Sequence, residues 1–366
     1  MELINATRMT VGYTMGMEPS GRELLVVAIK GTFKLPAPGE ANVALADEQM
    51  PLVMADTFFG EPGLSAPRMD IDYAPRKHAC DVLLVGSAHS PGGRPACRVQ
   101  VGMKVGPLVK SFNAVGNRHW QVTPLTLNVS DIEPFVQMPI DYGHAFGGVD
   151  NSTEGKESAY LRNPAGRGYA RTTKTGWLDG RPLPNTEAMN EHVSSPGGNY
   201  TPASFGVIGR HWQPRIGFAG TYDDAWLADH FPFLPPDFDE RYFQAAPADQ
   251  QLPIPKAPLE VALLNLTPDG RRSFMLPYFE APVHVFPKNG EREDHVAQLD
   301  TIVFEPDAER FTMTWRLTRP LKRNMLEIAQ VLVGRKGREW WQQREQVVFP
   351  IPVVMVPMEK PEEADA

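Results

Sequence analysis

The chain has 366 residues, of which 36 are Pro and 31 are Gly; Pro is at about twice its ordinary share. An interior Pro costs a helix about 3 kcal/mol and a Gly about 1 kcal/mol, so long helices are excluded. A net charge of -8 at pH 7 argues against general affinity for nucleic acid or an anionic membrane, because both need a basic surface.

The N-terminus, MELINATRMTVGYTMGMEPSGRE, lacks a basic start followed by an apolar core, which predicts no secretory signal and a cytoplasmic location. RELLVVAIKGTFKL (residues 22–35) begins as a continuous β-branched run and ends in alternation. That is the pattern of a core strand buried on both faces and then on one. DVLLVGSAH (residues 81–89) predicts another strand. PACRVQVGMKV and PLVKSFNAVG meet at Gly106-Pro107 as a hairpin in which Arg98 and Gln100 alternate with Val99, Val101 and Met103, so one face is buried and one is wet. Residues 1–123 therefore read as an N-terminal β-rich lobe, sandwich-like or barrel-like.

From Pro124 to Pro258 the strand pattern gives way to Pro, Gly and aromatic punctuation, as in SSPGGNYTP and FPFLPPDFDERYF. A structureless loop of that length is implausible in a compact domain. Residues 124–258 are predicted to form a packed irregular layer with short helices near residues 222–230 and 239–245. Strand patterns resume in LEVALLNLTPDGRRSFMLP, VHVFP, LDTIVFEPDAERFTMTWRL and LEIAQVLVG, a second β-rich lobe at residues 259–358. Asp269-Gly270 and Asn289-Gly290 are its turns. A last helix is predicted near residues 339–345, then a terminal strand at 347–358, too short and too Pro-broken to cross a bilayer. Residues 359–366 read as a disordered acidic tail. The fold class is mainly β: sandwich-like or barrel-like lobes of short antiparallel strands, an irregular layer and a few short helices.

The two cysteines, Cys80 and Cys97, have no C-x-x-C spacing and read as reduced, buried thiols. Neither nucleotide-binding glycine motif is present, and GRKGR (residues 334–338) lacks the Ser or Thr and the helix that would follow it. The nine histidines show no paired ligand spacing; His78 with Cys80 lacks a second pair. VGSAHS places Ser87 directly after Gly86, which is not a nucleophile elbow. No cofactor and no metal are expected.

Asp237 and Asp239 flank Phe238 after Pro235-Pro236. In an extended chain, residues two apart share a face about 6.5 Å apart, which can serve the paired carboxylates of a carbohydrate-active hydrolase. The same acids suit a helix start, where an Asp accepts the exposed N–H groups of the first turn. Asp223-Asp224 carries the same two readings. Between Leu317 and Phe349 seven basic residues, Arg319, Lys322, Arg323, Arg335, Lys336, Arg338 and Arg344, face three acidic ones, Glu327, Glu339 and Glu345. This segment reads as a solvated face, a docking surface for an acidic partner or, more weakly, a nucleic-acid site. Trp340-Trp341 within it has the composition of an interface hot spot or of core packing.

WQPRIGFAGTYDDAW (residues 212–226) and LPPDFDERYFQAAPADQQ (residues 234–251) resemble the hallmark block of the type VI secretion accessory family, a domain-of-unknown-function family. DYAPRKHACDVLLVGSA, PFVQMPIDYGHAFGG, RNPAGRGY and LPNTE agree with it, so the resemblance spans about residues 24–317; AAPADQQ departs from the commoner A-P-P-D-Q. The resemblance implies an adaptor or chaperone that binds a toxic effector and helps place it on the secretion spike of VgrG and a PAAR-type tip. It brings no catalytic residues. The partner-binding candidates are Trp212, Arg215, Tyr222, Asp223, Trp226, Asp237, Asp239, Arg241, Asp249, Gln250, Trp340 and Trp341. Around Trp212–Trp226 two uses stay open: Arg215 pairing with an Asp to brace the loop over buried indoles, or direct contact with a partner.

Overall fold

A computed structural model of the chain describes residues 1–40 and 42–347. The strand and the acidic tail expected beyond Val347 lie outside the described residues, as do the side chains of Arg344 and Glu345. The apolar run after Arg22 forms a twelve-residue strand, Glu23–Lys34, in which every residue between the two ends is buried. It lies antiparallel between Thr10–Met17 and Arg310–Pro320. The alternating tail of this run, expected to be wet on one face, is buried as well as far as Phe33, and only Lys34 at the strand end is exposed. Lys30 is ion-paired with buried Asp72 at 2.8 Å, and the Gln49 side chain satisfies both backbone groups of Thr32. Partners supplied from distant loops remove the need for water.

The molecule is mainly β, with one nearly closed, barrel-like sheet and several small ones. Along the large sheet the strands run Glu2–Asn5, Ile328–Val333, Ala281–Pro287, Glu293–Glu305, Arg310–Pro320, Glu23–Lys34 and Thr10–Met17. Glu293–Glu305 is long enough to carry a further strand, Cys80–Leu84, parallel to its second half. A five-stranded sheet contains the predicted hairpin, Arg98–Val105 and Leu108–Val115, with Glu260–Leu264 and Arg271–Met275 on one side and Thr186–Ala188 on the other. Val99, Val101, Met103 and Val105 point inward in strict alternation, and Gly106 turns the hairpin at φ +56°, a conformation open to Gly without a Cβ penalty.

Strands from residues 1–123 and from the described part of the expected second lobe, residues 259–347, share both sheets, so the two regions are interleaved rather than separate. The physical reason lies in the doubly buried strand Glu23–Lys34. All its backbone groups need partners, and those on its second edge come from Arg310–Pro320. The core seals the join: Phe33 stacks on Phe311 at 5.2 Å, and Phe311 on Phe274 at 5.6 Å.

The intervening layer, expected to be irregular with short helices, also contains several two- and three-residue strands, and its small aromatic core is shared with Trp120 and Val122. There Phe146 meets Tyr160 and Tyr200 edge-on at 5.1 and 4.9 Å. Both expected helices of this layer form, as Asp224–Asp229 and as the 3-10 turn Glu240–Phe243; the last helix is Arg338–Val347. Both cysteines are free, but only Cys80 is buried. Cys97 is exposed, one residue before the hairpin strand begins. Among the described residues no helix is long and apolar enough to cross a membrane.

Candidate protein-docking site

The segment after Gly209 tightens into the 3-10 turn Arg215–Phe218, which directs Arg215 inward. Its guanidinium donates from Nε to the Tyr242 carbonyl (2.9 Å), from Nη1 to the Ile208 carbonyl (2.8 Å) and from Nη2 to Asp70 Oδ1 (3.0 Å). Arg210 shares the same Asp70 oxygen at 2.9 Å and forks onto Asp56 at 2.7 and 3.2 Å. Burial pushes the Asp70 carboxyl up, and the Arg215 and Arg210 guanidiniums pull against it. Trp212 is buried with its ring edge-on to Tyr142 at 5.7 Å. Gln250, also buried, donates to the carbonyls of Val82 (2.7 Å) and Phe205 (3.0 Å) and accepts from Lys110 Nζ at 2.7 Å.

Trp212, Arg215 and Gln250 are therefore internal braces, which corrects their place among the partner-contact candidates. Buried polar groups must be satisfied within the chain, and these three meet carbonyls, a carboxylate and an indole pocket rather than solvent. Asp249 is exposed and ion-paired with Lys110 at 3.1 Å.

Between the turns Arg215–Phe218 and Glu240–Phe243 the chain forms a ridge on a fixed base. The Asp239 N–H donates to the Phe218 carbonyl at 3.0 Å. The Arg241 guanidinium lies over the Phe218 ring at 4.3 Å and donates from Nε to Asp239 Oδ2 at 2.9 Å. Asp237 accepts from Thr221 N–H (2.9 Å) and from its hydroxyl (2.8 Å). Gly220, at φ +81°, makes this turn possible, since a Cβ there would come within 2.9 Å of both Asp237 Oδ1 and Pro235 Cβ. Asp223 caps the helix Asp224–Asp229 through the Trp226 N–H at 2.9 Å, and the Trp226 indole donates to the Phe233 carbonyl at 2.9 Å. Capping thus accounts for Asp223 and Asp239, whereas Asp237 braces Thr221 instead.

The hydrogen bonds from Thr221 hold the Asp237 carboxyl below the usual range, and those from Arg241 do the same for Asp239. That direction is the opposite of the raised pKa that a glycosidase general acid needs.

Besides its carboxylates, the ridge leaves a group of apolar side chains uncovered. Tyr222 is 54% exposed, Leu227 60% and Phe231 62%, and the rings of Tyr222, Trp226 and Phe231 meet edge-on at 4.8 and 5.7 Å. Phe233 and Ile216, in the same stretch of chain, are exposed as well. Of these, the sequence reasoning named Tyr222 and Trp226 but missed Leu227, Phe231, Phe233 and Ile216. The available signal was HFPFLPP directly after the helix, where Pro spacing prevents a strand that would bury the rings.

Trp340 and Trp341 stand on another element, the Arg338–Val347 helix. Trp341 packs edge-on against His284 at 5.1 Å and takes the Arg292 guanidinium over its ring at 4.7 Å. Within the basic segment, Arg319 is buried and bound by Glu293 and Glu327, which removes its charge from the surface excess.

Sequence reasoning also gave no sign of a cleft of about 680 Å³. Phe59 and Leu64 line it together with Arg68, Asp141, His144 and Asp307. Its carboxylates have local hydrogen-bond partners: His144 Nδ1 lies 2.9 Å from Asp141, and His89 Nε2 lies 3.0 Å from Asp307. Among the described residues no group of three His, Cys, Asp or Glu side chains is placed to hold a metal ion.

A family model described as "Uncharacterized protein conserved in bacteria (DUF2169)" matches residues 20–316. The chain belongs to the DUF2169 family. Neither the curated proteins nor the solved structures contain a match. The DUF2169 region takes in the Asp70–Arg215–Arg210 brace, the cleft and the whole aromatic ridge, and it stops four residues before the end of the Arg310–Pro320 strand.

Proposed function

We propose that this DUF2169 protein is a non-enzymatic adaptor of type VI secretion. In the cytoplasm it binds a toxic effector and helps load it onto the spike of VgrG and a PAAR-type tip. The observation that carries the proposal is the division of labour within residues 212–251. Buried members of this motif block lock the backbone, while Tyr222, Leu227 and Phe231 are held out to solvent on that rigid base. A surface ordered beforehand gives up less entropy on binding, which suits holding another protein. The motifs that resemble the secretion accessory family coincide with this base and ridge.

The test is affinity purification of the full chain from the native cell at physiological expression, followed by identification of the bound proteins. An effector or a VgrG or PAAR-type protein should co-purify, and the effector should become insoluble when the adaptor gene is deleted. If secretion components are absent and the effector's solubility is unchanged by the deletion, the proposal fails.

A further inference from the structure

The ridge has a sign as well as an apolar face. From Ile216 to Glu240 the sequence carries Asp223, Asp224, Asp229, Asp237, Asp239 and Glu240 with no Lys or Arg. Asp239 is matched by Arg241, and Glu240 by Arg76 and His78. Asp223, Asp224, Asp229 and Asp237 are all exposed; Asp223 and Asp237 hold only backbone and hydroxyl donors of the ridge itself. The helix between them has six residues, well short of the ~12–15 at which an isolated helix becomes even marginally stable. Apart from half-buried Trp226, each of its residues is exposed.

We infer that this ridge is the docking site for a cationic, apolar segment of a partner protein, one that presents Arg or Lys beside Leu, Phe or similar side chains. Leu227 and Phe231 supply the desolvated contact, and exposed apolar clusters of this kind mark interaction sites. Tyr222 offers a ring face to a guanidinium or ammonium group. The four carboxylates attract the same cations and raise the encounter rate. Their sign opposes a nucleic acid or an anionic membrane at this surface. The inference rests on the adaptor function proposed above, and it adds the chemistry of the segment bound.

The experiment uses the full chain and a fluorescein-labelled amphipathic Lys/Leu peptide as probe, with a Glu/Leu peptide of the same pattern as its counterpart, followed by anisotropy. The Lys/Leu peptide should bind at least about tenfold more tightly than the Glu/Leu peptide. Leu227→Ser with Phe231→Ser should weaken it about tenfold or more, and Asp224→Asn with Asp229→Asn should weaken it and flatten its salt dependence. Glu154→Gln, at an exposed acid outside the ridge, should leave binding as it is. Unchanged melting temperatures of the variants show that the fold survives.

Equal binding of the two peptides, or loss with Glu154→Gln that matches the loss in the ridge variants, overturns the inference. So does a wild-type oligomer that the ridge substitutions convert to monomer, since the occupant is then a second copy. Peptide binding at the ridge without co-purified secretion components sinks the adaptor function but leaves the docking chemistry standing. Co-purification that survives every ridge substitution, with no peptide bound, does the reverse.

Discussion

Around the Arg215 guanidinium, two carbonyls and the Asp70 carboxylate close off nearly all access to water. Removing the side chain strands a buried carboxylate that Arg210 alone must hold, and breaking a buried pair in this way costs about 3–5 kcal/mol. Arg215→Ala is expected to lower the unfolding free energy in urea by that order. Arg215→Lys should recover little, because a compact ammonium cannot span three acceptors set for a planar fork. A loss below about 1 kcal/mol would return Arg215 to the surface-contact candidates. An Arg braced by an Asp was legible as an option in the sequence. Which Asp was not, since Asp70 lies 145 positions earlier and only the fold brings it near.

Among the secondary-structure elements, the strands Glu293–Glu305 and Arg310–Pro320 are stapled at one end by Arg319. It donates to both oxygens of Glu293 at 2.6 and 2.7 Å and to Glu327 at 2.8 Å. The bonds from Arg319, with help from His295 and against the cost of burial, hold the Glu293 carboxyl at about 2, down from 4.5. A folded-state value below the unfolded one means that the staple contributes fully above pH 4.5 and loses its contribution as pH falls from about 4.5 to about 2. Urea midpoints measured across that window should fall for the wild type, and Glu293→Gln should flatten part of the slope; identical slopes would show that the staple contributes nothing. The ridge helix is the opposite case. Its location and its Asp cap were readable from Asp-Asp followed by an apolar run, but its lack of a covering element was not. Helical pattern reports which side chains share a face, not whether another element arrives to bury them.

For the whole molecule, the decisive fact is that the first and last thirds of the chain are interleaved. Glu23–Lys34 is paired with Arg310–Pro320 along its length, and Cys80–Leu84 with Glu293–Glu305. A fragment of residues 1–258 is therefore expected to lack a cooperative thermal transition and a dispersed amide NMR spectrum, because its most buried strand keeps an unpaired edge; cooperative folding of that fragment would establish a separable N-terminal lobe. Glu2–Asn5 and Thr10–Met17 went unread, but by itself the sequence determined the mainly β class, the core strand after Arg22 and the strands of the last third, the hairpin at Gly106, the short helices and the absence of long ones. Each of these follows from local chemistry: side-chain period, the fixed φ of Pro, the free φ of Gly, and Asp at a helix start. Only the tertiary structure decided that two expected lobes are one body, that Trp212, Arg215 and Gln250 face inward, and that Tyr222, Leu227 and Phe231 face out. Those outcomes depend on which distant residues supply a strand edge, a carboxylate or a cover, and no local pattern encodes a partner more than a hundred positions away.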